Sequence, residues 1–207
     1  GLPVDTTPLF RRRADANKPY YAEANPYLSF HSQELHEAFQ AKLILLVRNP
    51  IDTVNSHVAK GWYKNELYYE NTKQAIGFQY GMQTNHFLGR IIPQSKEFER
   101  WKHLSQIGKL AWMWNRVNSW ILDDFAQLPN THTQIVKVEE LDYKTFKGIY
   151  QWLGWAGPLP QKQFNAIKKK RPGKPKTKNR PPAWNAKEQS EFAREAAPVA
   201  EVLNYQL

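Results

Sequence analysis

The sequence predicts an α/β fold, a parallel sheet flanked by helices. Three observations predict it. Residues 43–47 and 134–138 are short apolar runs (LILLV and QIVKV) that stop at polar residues, the pattern of strands buried on both faces. Residues 108–128 carry an apolar stripe at helical spacing. The order helix, strand, helix, helix, strand, helix is that of a parallel sheet with crossover helices.

Each element follows from local chemistry. Pro3, Pro8, Pro19 and Arg11-Arg12-Arg13 mark residues 1–19 as irregular, with a short helix near 9–15. Ser29 or Ser32 caps a helix over 32–39 that buries Leu35 and Phe39. The first strand ends at Arg48-Asn49-Pro50, and Pro50 suits the start of a helix over 52–60 with Val54 and Val58 inward. Residues 66–88 are aromatic-rich and in part helical, and 89–105 read as a polar connection. Leu110, Trp114, Val117, Ile121, Leu122 and Phe125 form the stripe of the long helix, which Pro129-Asn130 ends. The second strand leads into Glu139-Glu140-Leu141, and a helix over 143–153 closes at Gly154. The last helix, 185–204, opens at Asn185 and is broken or bent by Pro198.

The 207 residues suffice for one domain, 1–207, with a substantial core. There is no Cys, which excludes disulfides and thiolate metal sites, and no His-x₃-His or similar metal-ligand spacing. No apolar run approaches the roughly 18 residues of a membrane helix, and no signal-peptide core is evident. A soluble protein without a membrane span is expected, with the cytoplasm as the default compartment. Net charge is +10, and the segment 168–180 (KKKRPGKPKTKNR) holds eight Lys or Arg and no acid. That segment is either a solvated basic loop or an anion-binding one.

In parallel sheets, ligands bind beyond the carboxyl ends of the strands. Arg48 stands at one such end, where a guanidinium can grip a phosphate bidentately. Ser56 follows eight residues later in the next helix, and strand–turn–helix geometry can turn both toward one anion, aided by N–H groups at the helix start. Arg48 can equally pair with a carboxylate, and Ser56 can be an ordinary surface residue.

Strand–Arg48-Asn49-Pro50–x–Asp52–x₃–Ser56 resembles the 3′-phosphate motif of sulfotransferases that use 3′-phosphoadenosine-5′-phosphosulfate (PAPS). Upstream, Tyr21-Ala22-Glu23-Ala24-Asn25-Pro26-Tyr27-Leu28 is similar to the Glu-Lys-Ser/Asn-Pro-x-Tyr segment of that family. Downstream, Trp114-Asn115-x-x-Asn118-x-Trp120, then Val136-Lys137-Val138-Glu139-Glu140-Leu141, then Tyr150-Gln151-Trp152-Leu153-Gly154, resemble its aromatic helix, following strand and next helix. Arg171-Pro172-Gly173 and Trp184-Asn185 resemble its late cationic loop. The resemblance spans roughly residues 18–154 and, more loosely, the remainder.

The resemblance implies a P-loop nucleotide-hydrolase-like sulfotransferase fold. It further implies PAPS or 3′-phosphoadenosine-5′-phosphate as co-substrate, an unidentified hydroxyl or amine acceptor, and no metal. It places Arg48 and Ser56 on the 3′-phosphate and adds Arg171 and Gly173 from the basic loop. Glu23 is the candidate general base, or an ordinary structural Glu; His31, His36 and His57 are alternatives. Trp62, Tyr63, Tyr68 and Tyr69 line an acceptor pocket or belong to the core.

The sequence also departs from the family. No Gly-rich 5′-phosphosulfate loop occurs in these residues, since no Gly falls between Gly1 and Gly61; the loop is expected upstream of residue 1 if the chain is a fragment, or the donor site has been lost. On that reading this chain alone holds the donor weakly and turns over little. Ala24 replaces a Lys, and Val138 a Tyr of the cytosolic enzymes. Two other classes stay open. A catalytically inactive sulfotransferase-like binding protein would account for the missing loop. A basic nucleic-acid-binding module would account for the charge, but not for the strand–Arg-Asn-Pro–helix unit, and no helix-turn-helix, RNA-recognition or zinc signature accompanies it.

Overall fold

The structure is a computed structural model that describes residues 22–64, 90–93, 96–155, 157–158, 160–170 and 183–207. The readings at 9–15, 66–88 and most of 168–180 fall outside these residues, as do Tyr68, Tyr69, Arg171 and Gly173.

Strands β1 (Leu43–Val47) and β2 (Thr133–Lys137) pair in parallel, Leu45 beside Ile135 and Val47 beside Lys137. The chain is therefore mixed α/β, as expected. The strands are not covered on both faces: Leu46 is 55% exposed and Ile135 46%. Side chains alternate across the pleat, and paired residues of parallel strands share a face. Leu45 and Val47 join the main core on one face, whereas Val136 is buried on the other.

Helix α1 (Ser32–Phe39) follows a 3₁₀ turn, Pro26–Phe30. Neither Ser29 nor Ser32 caps it: His31 is the N-cap residue and makes no side-chain capping bond. Leu35 is buried, but Phe39 is exposed. The second inward residue is His36, which shares a 2.8 Å hydrogen bond between Nε2 and the Nδ1 of His132, just ahead of β2. A polar tie thus turns the helix one position away from the apolar reading.

Helix α2 (Pro50–Val58) buries Pro50 and Val54. Helix α3 (Lys96–Lys102) lies where a polar connection was expected, because Phe98 and Trp101, three residues apart, reach the core. Helix α4 (Gln106–Ala126) is the centre of the molecule. Ser105 caps it by accepting from Gly108 N at 3.1 Å. Its opening turns are buried on every side, from Ile107 through Trp114 and including Lys109, rather than along one stripe. The cause is that α1, α2 and a late helix all pack against it.

Beyond β2, a 3₁₀ turn (Val138–Glu140) leads to α5 (Tyr143–Trp152), capped by Asp142 through Thr145 N at 2.7 Å. Gly154 then adopts φ +86°, a left-handed conformation that favours Gly. Helix α6 (Gln161–Lys170) takes in Lys168, Lys169 and Lys170, so the basic segment begins helical and not as a loop. Phe164 of α6 meets Phe146 of α5 at 4.9 Å between ring centres.

Helix α7 (Ala186–Val202) opens with a capping box between Asn185 and Glu188 and runs past Pro198 unbroken. Pro198 has no N–H to give, and the next amide, Val199, donates to Asn115 Oδ1 on α4 at 3.1 Å. The α4–α7 seam is polar at its rim. Buried Glu191 accepts from Ser105 N at 2.9 Å and from the Ser105 hydroxyl. Arg100 of α3 forks onto buried Glu195. Among the described residues, no helix is long and apolar enough to cross a membrane.

Candidate anion-binding site

The carboxyl end of β1 is held from several directions. Trp114 Nε1 donates to the Arg48 carbonyl at 3.0 Å. Asn49 N donates to Glu139 Oε1 at 2.7 Å, joining the ends of the two strands. The Tyr205 hydroxyl donates to Glu139 Oε2 at 3.0 Å and lies 3.5 Å from the Val47 carbonyl. Burial, then the hydrogen bond to Glu139, pushes the Tyr205 phenol above its ordinary range.

Asn49 is the N-cap of α2. Its Oδ1 accepts from Ile51 N at 2.9 Å and Asp52 N at 3.4 Å, and its carbonyl accepts from Thr53 N at 3.0 Å. Pro50 has no N–H. The amides at the start of α2 are therefore already bonded, and the expectation that they serve an incoming anion is corrected. An anion here is left with side chains and with the local field.

The Arg48 guanidinium is half-exposed and pairs with Asp52 Oδ2 at 3.1 Å. Ser56 lies four residues further along α2, about 6 Å past Asp52. Asp52 and Ser56, both inside α2, share one face by the i, i+4 rule, whereas Arg48 precedes the N-cap and stands outside the helix. Ser56 is partly buried. The Asp52 carboxylate that pairs with Arg48 stands on the same face of α2 as Ser56.

His57 adds a second feature that the sequence did not reveal. It stacks on Trp62 at 4.0 Å and 13°. Its pKa is lowered to about 4 by burial first, then by Lys60 and Arg48. Its Nδ1 is buried without a hydrogen bond. Burial is the larger cause of that shift; Lys60 and Arg48 add positive potential beside the ring, and Asp52 and Glu139 oppose it.

The other predicted residues are more scattered. Glu23 lies on an exposed stretch ahead of Pro26–Phe30. His31 faces Glu34 at 3.8 Å, and His36 is bonded to His132. Tyr63 is core: it is buried, and its hydroxyl bonds both Ile91 O at 2.6 Å and Ile91 N at 3.0 Å. Lys168 Nζ donates to Leu141 O at 3.0 Å, which anchors the start of the basic segment close in sequence to the Glu139-Glu140 strand end. Among the described residues, no group of three or more His, Asp or Glu could hold a metal.

No family model matches this chain, and no curated protein or solved structure matches it.

Proposed function

We propose that the chain is a PAPS-dependent sulfotransferase domain of the P-loop nucleotide-hydrolase-like class, in which Arg48 and Ser56 hold the 3′-phosphate of the nucleotide. The observation that carries this reading is the Arg48-Asn49-Pro50 turn at the carboxyl end of a parallel strand. Its backbone is fixed by Trp114 and Glu139 while its guanidinium stays half-exposed. Lys60, close enough to His57 to help lower its pKa, adds a second cation near Arg48. In the reaction, the acceptor oxygen or nitrogen bonds to sulfur, the bond from sulfur to the 5′-phosphate oxygen breaks, and 3′-phosphoadenosine-5′-phosphate leaves. The acceptor proton passes to a base, for which the family resemblance offers Glu23. Arg171 and Gly173 belong to the same proposal through the basic loop.

The Arg48–Asp52 pair favours a second reading, in which Arg48 is a structural strand-end residue and the protein is a non-catalytic relative. Calorimetry with 3′-phosphoadenosine-5′-phosphate and with adenosine 5′-phosphate separates the two. Charged hydrogen bonds are worth on the order of 1.5–3 kcal/mol each. Arg48→Ala should therefore weaken the bisphosphate about tenfold or more, Ser56→Ala less, and adenosine 5′-phosphate little. Equal losses for both nucleotides would establish the structural reading.

A further inference from the structure

We infer that Tyr205, which follows α7, positions the Arg48-Asn49-Pro50 turn, and that it does so through Glu139. One carboxylate carries both connections: Tyr205 OH donates to Oε2 at 3.0 Å and Asn49 N donates to Oε1 at 2.7 Å. Glu139 is otherwise an exposed side chain on a short 3₁₀ turn. An exposed carboxylate has several rotamers and would share its time with water. The phenol removes that freedom by fixing the second oxygen.

Tyr205 is itself well fixed. Its ring meets Trp114 edge to face at 6.1 Å, and Lys137 Nζ lies 4.9 Å from the ring centre. Trp114 holds the Arg48 carbonyl directly, so the ring that touches the turn also touches Tyr205, which reaches it through Glu139. Asn49 then relays the constraint, since its side chain caps α2 and thereby sets where Asp52 and Ser56 stand relative to Arg48. Tyr205 touches no reacting atom in this scheme; it is a positioning residue. Its bearing on nucleotide binding rests on the function proposed above, but its action on Asn49 does not.

The test is amide hydrogen exchange, read residue by residue by NMR on the full chain. Tyr205→Phe removes the hydroxyl and keeps the ring. It should speed Asn49 exchange about fivefold and leave Leu45 and the α4 amides as in the wild type. Glu139→Ala should do the same, and Tyr205→Phe should add nothing in the Glu139→Ala background. Affinity for 3′-phosphoadenosine-5′-phosphate should fall about threefold in Tyr205→Phe. Unchanged Asn49 exchange in Tyr205→Phe overturns the inference, as does an effect of Tyr205→Phe that persists without Glu139. If the wild type binds no nucleotide, the functional reading fails, while the exchange experiment still decides the role of Tyr205.

Discussion

Arg48, just ahead of α2, and Asp52 in its first turn form an ion pair, guanidinium to carboxylate at 3.1 Å, both open to solvent. An anion that claims Arg48 must compete with this carboxylate. Asp52→Asn should therefore tighten 3′-phosphoadenosine-5′-phosphate by about threefold to tenfold. The exposed pair adds little to folding, and Asp52 near a helix start adds a little more, so stability should fall by less than about 1 kcal/mol. Titration calorimetry and urea melts check the two halves. Weaker binding in the variant would mean that Asp52 orients Arg48 rather than competing for it.

Trp114 supplies the donor for the Arg48 carbonyl. Trp114→Phe keeps an aromatic ring in the core but leaves that carbonyl without its partner. The expected cost is about 1–3 kcal/mol in denaturant unfolding. Nucleotide affinity should drop with it, because the turn that carries the guanidinium is no longer anchored.

Gly108 faces Glu191 so closely that a Cβ would stand 2.7 Å from Glu191 Oε2 and 3.2 Å from both Glu191 Cβ and Leu104 Cβ. Ala is favoured over Gly inside helices by about 1 kcal/mol. Here the close approach should reverse that sign, since Glu191 cannot retreat without releasing Ser105. Gly108→Ala should destabilise by about 1–3 kcal/mol. A rise in melting temperature would show that the α4–α7 seam yields easily.

His57 titrates at its ordinary 6.5 when unfolded and at about 4 when folded, through burial and then its cationic neighbours. Between those values the unfolded chain binds more protons, so stability falls as pH drops from 6.5 toward 4 and is unaffected by this group above 6.5. The full effect is on the order of 3 kcal/mol. His57→Phe keeps the stack on Trp62 without the titration. Urea melts of both proteins from pH 7 to pH 4 should show the wild type losing more stability than the variant; parallel losses would mean that His57 is solvated.

The parallel strands, the long helix and the strand–Arg-Asn-Pro–helix unit were legible because each rests on local pattern: apolar runs, helical periodicity and a Pro after a strand. What escaped depends on partners distant in sequence. Phe98 and Trp101 form a helix only because the core lies beneath them, and Phe39 lost its inward place to the bond between His36 and His132. The exposure of Leu46 and Ile135 depends on which face each strand has covered, which an apolar run cannot encode. At the candidate site the strand-end positions of Arg48 and Glu139 were readable. The role of Tyr205 was not, since a Tyr after a helix carries no signal of the carboxylate it will meet. The capping of α2 by Asn49 could have been anticipated from Asn-Pro, and it withdraws the amides that the sequence reading assigned to an anion.

The Val199 amide, bonded to Asn115 next to Pro198, has a consequence for the strand ends. Apolar seams between helices tolerate sliding, because one turn of contacts resembles the next. A backbone donor captured by a single side chain does not repeat, so a slip of one turn, about 5.4 Å, would strand both groups. Tyr205 lies six residues after Val199, so the axial register of α7 on α4 determines whether its hydroxyl arrives at Glu139 or falls short of it. A single bond beside a proline near the end of one helix thereby sets a distance at the carboxyl end of the sheet.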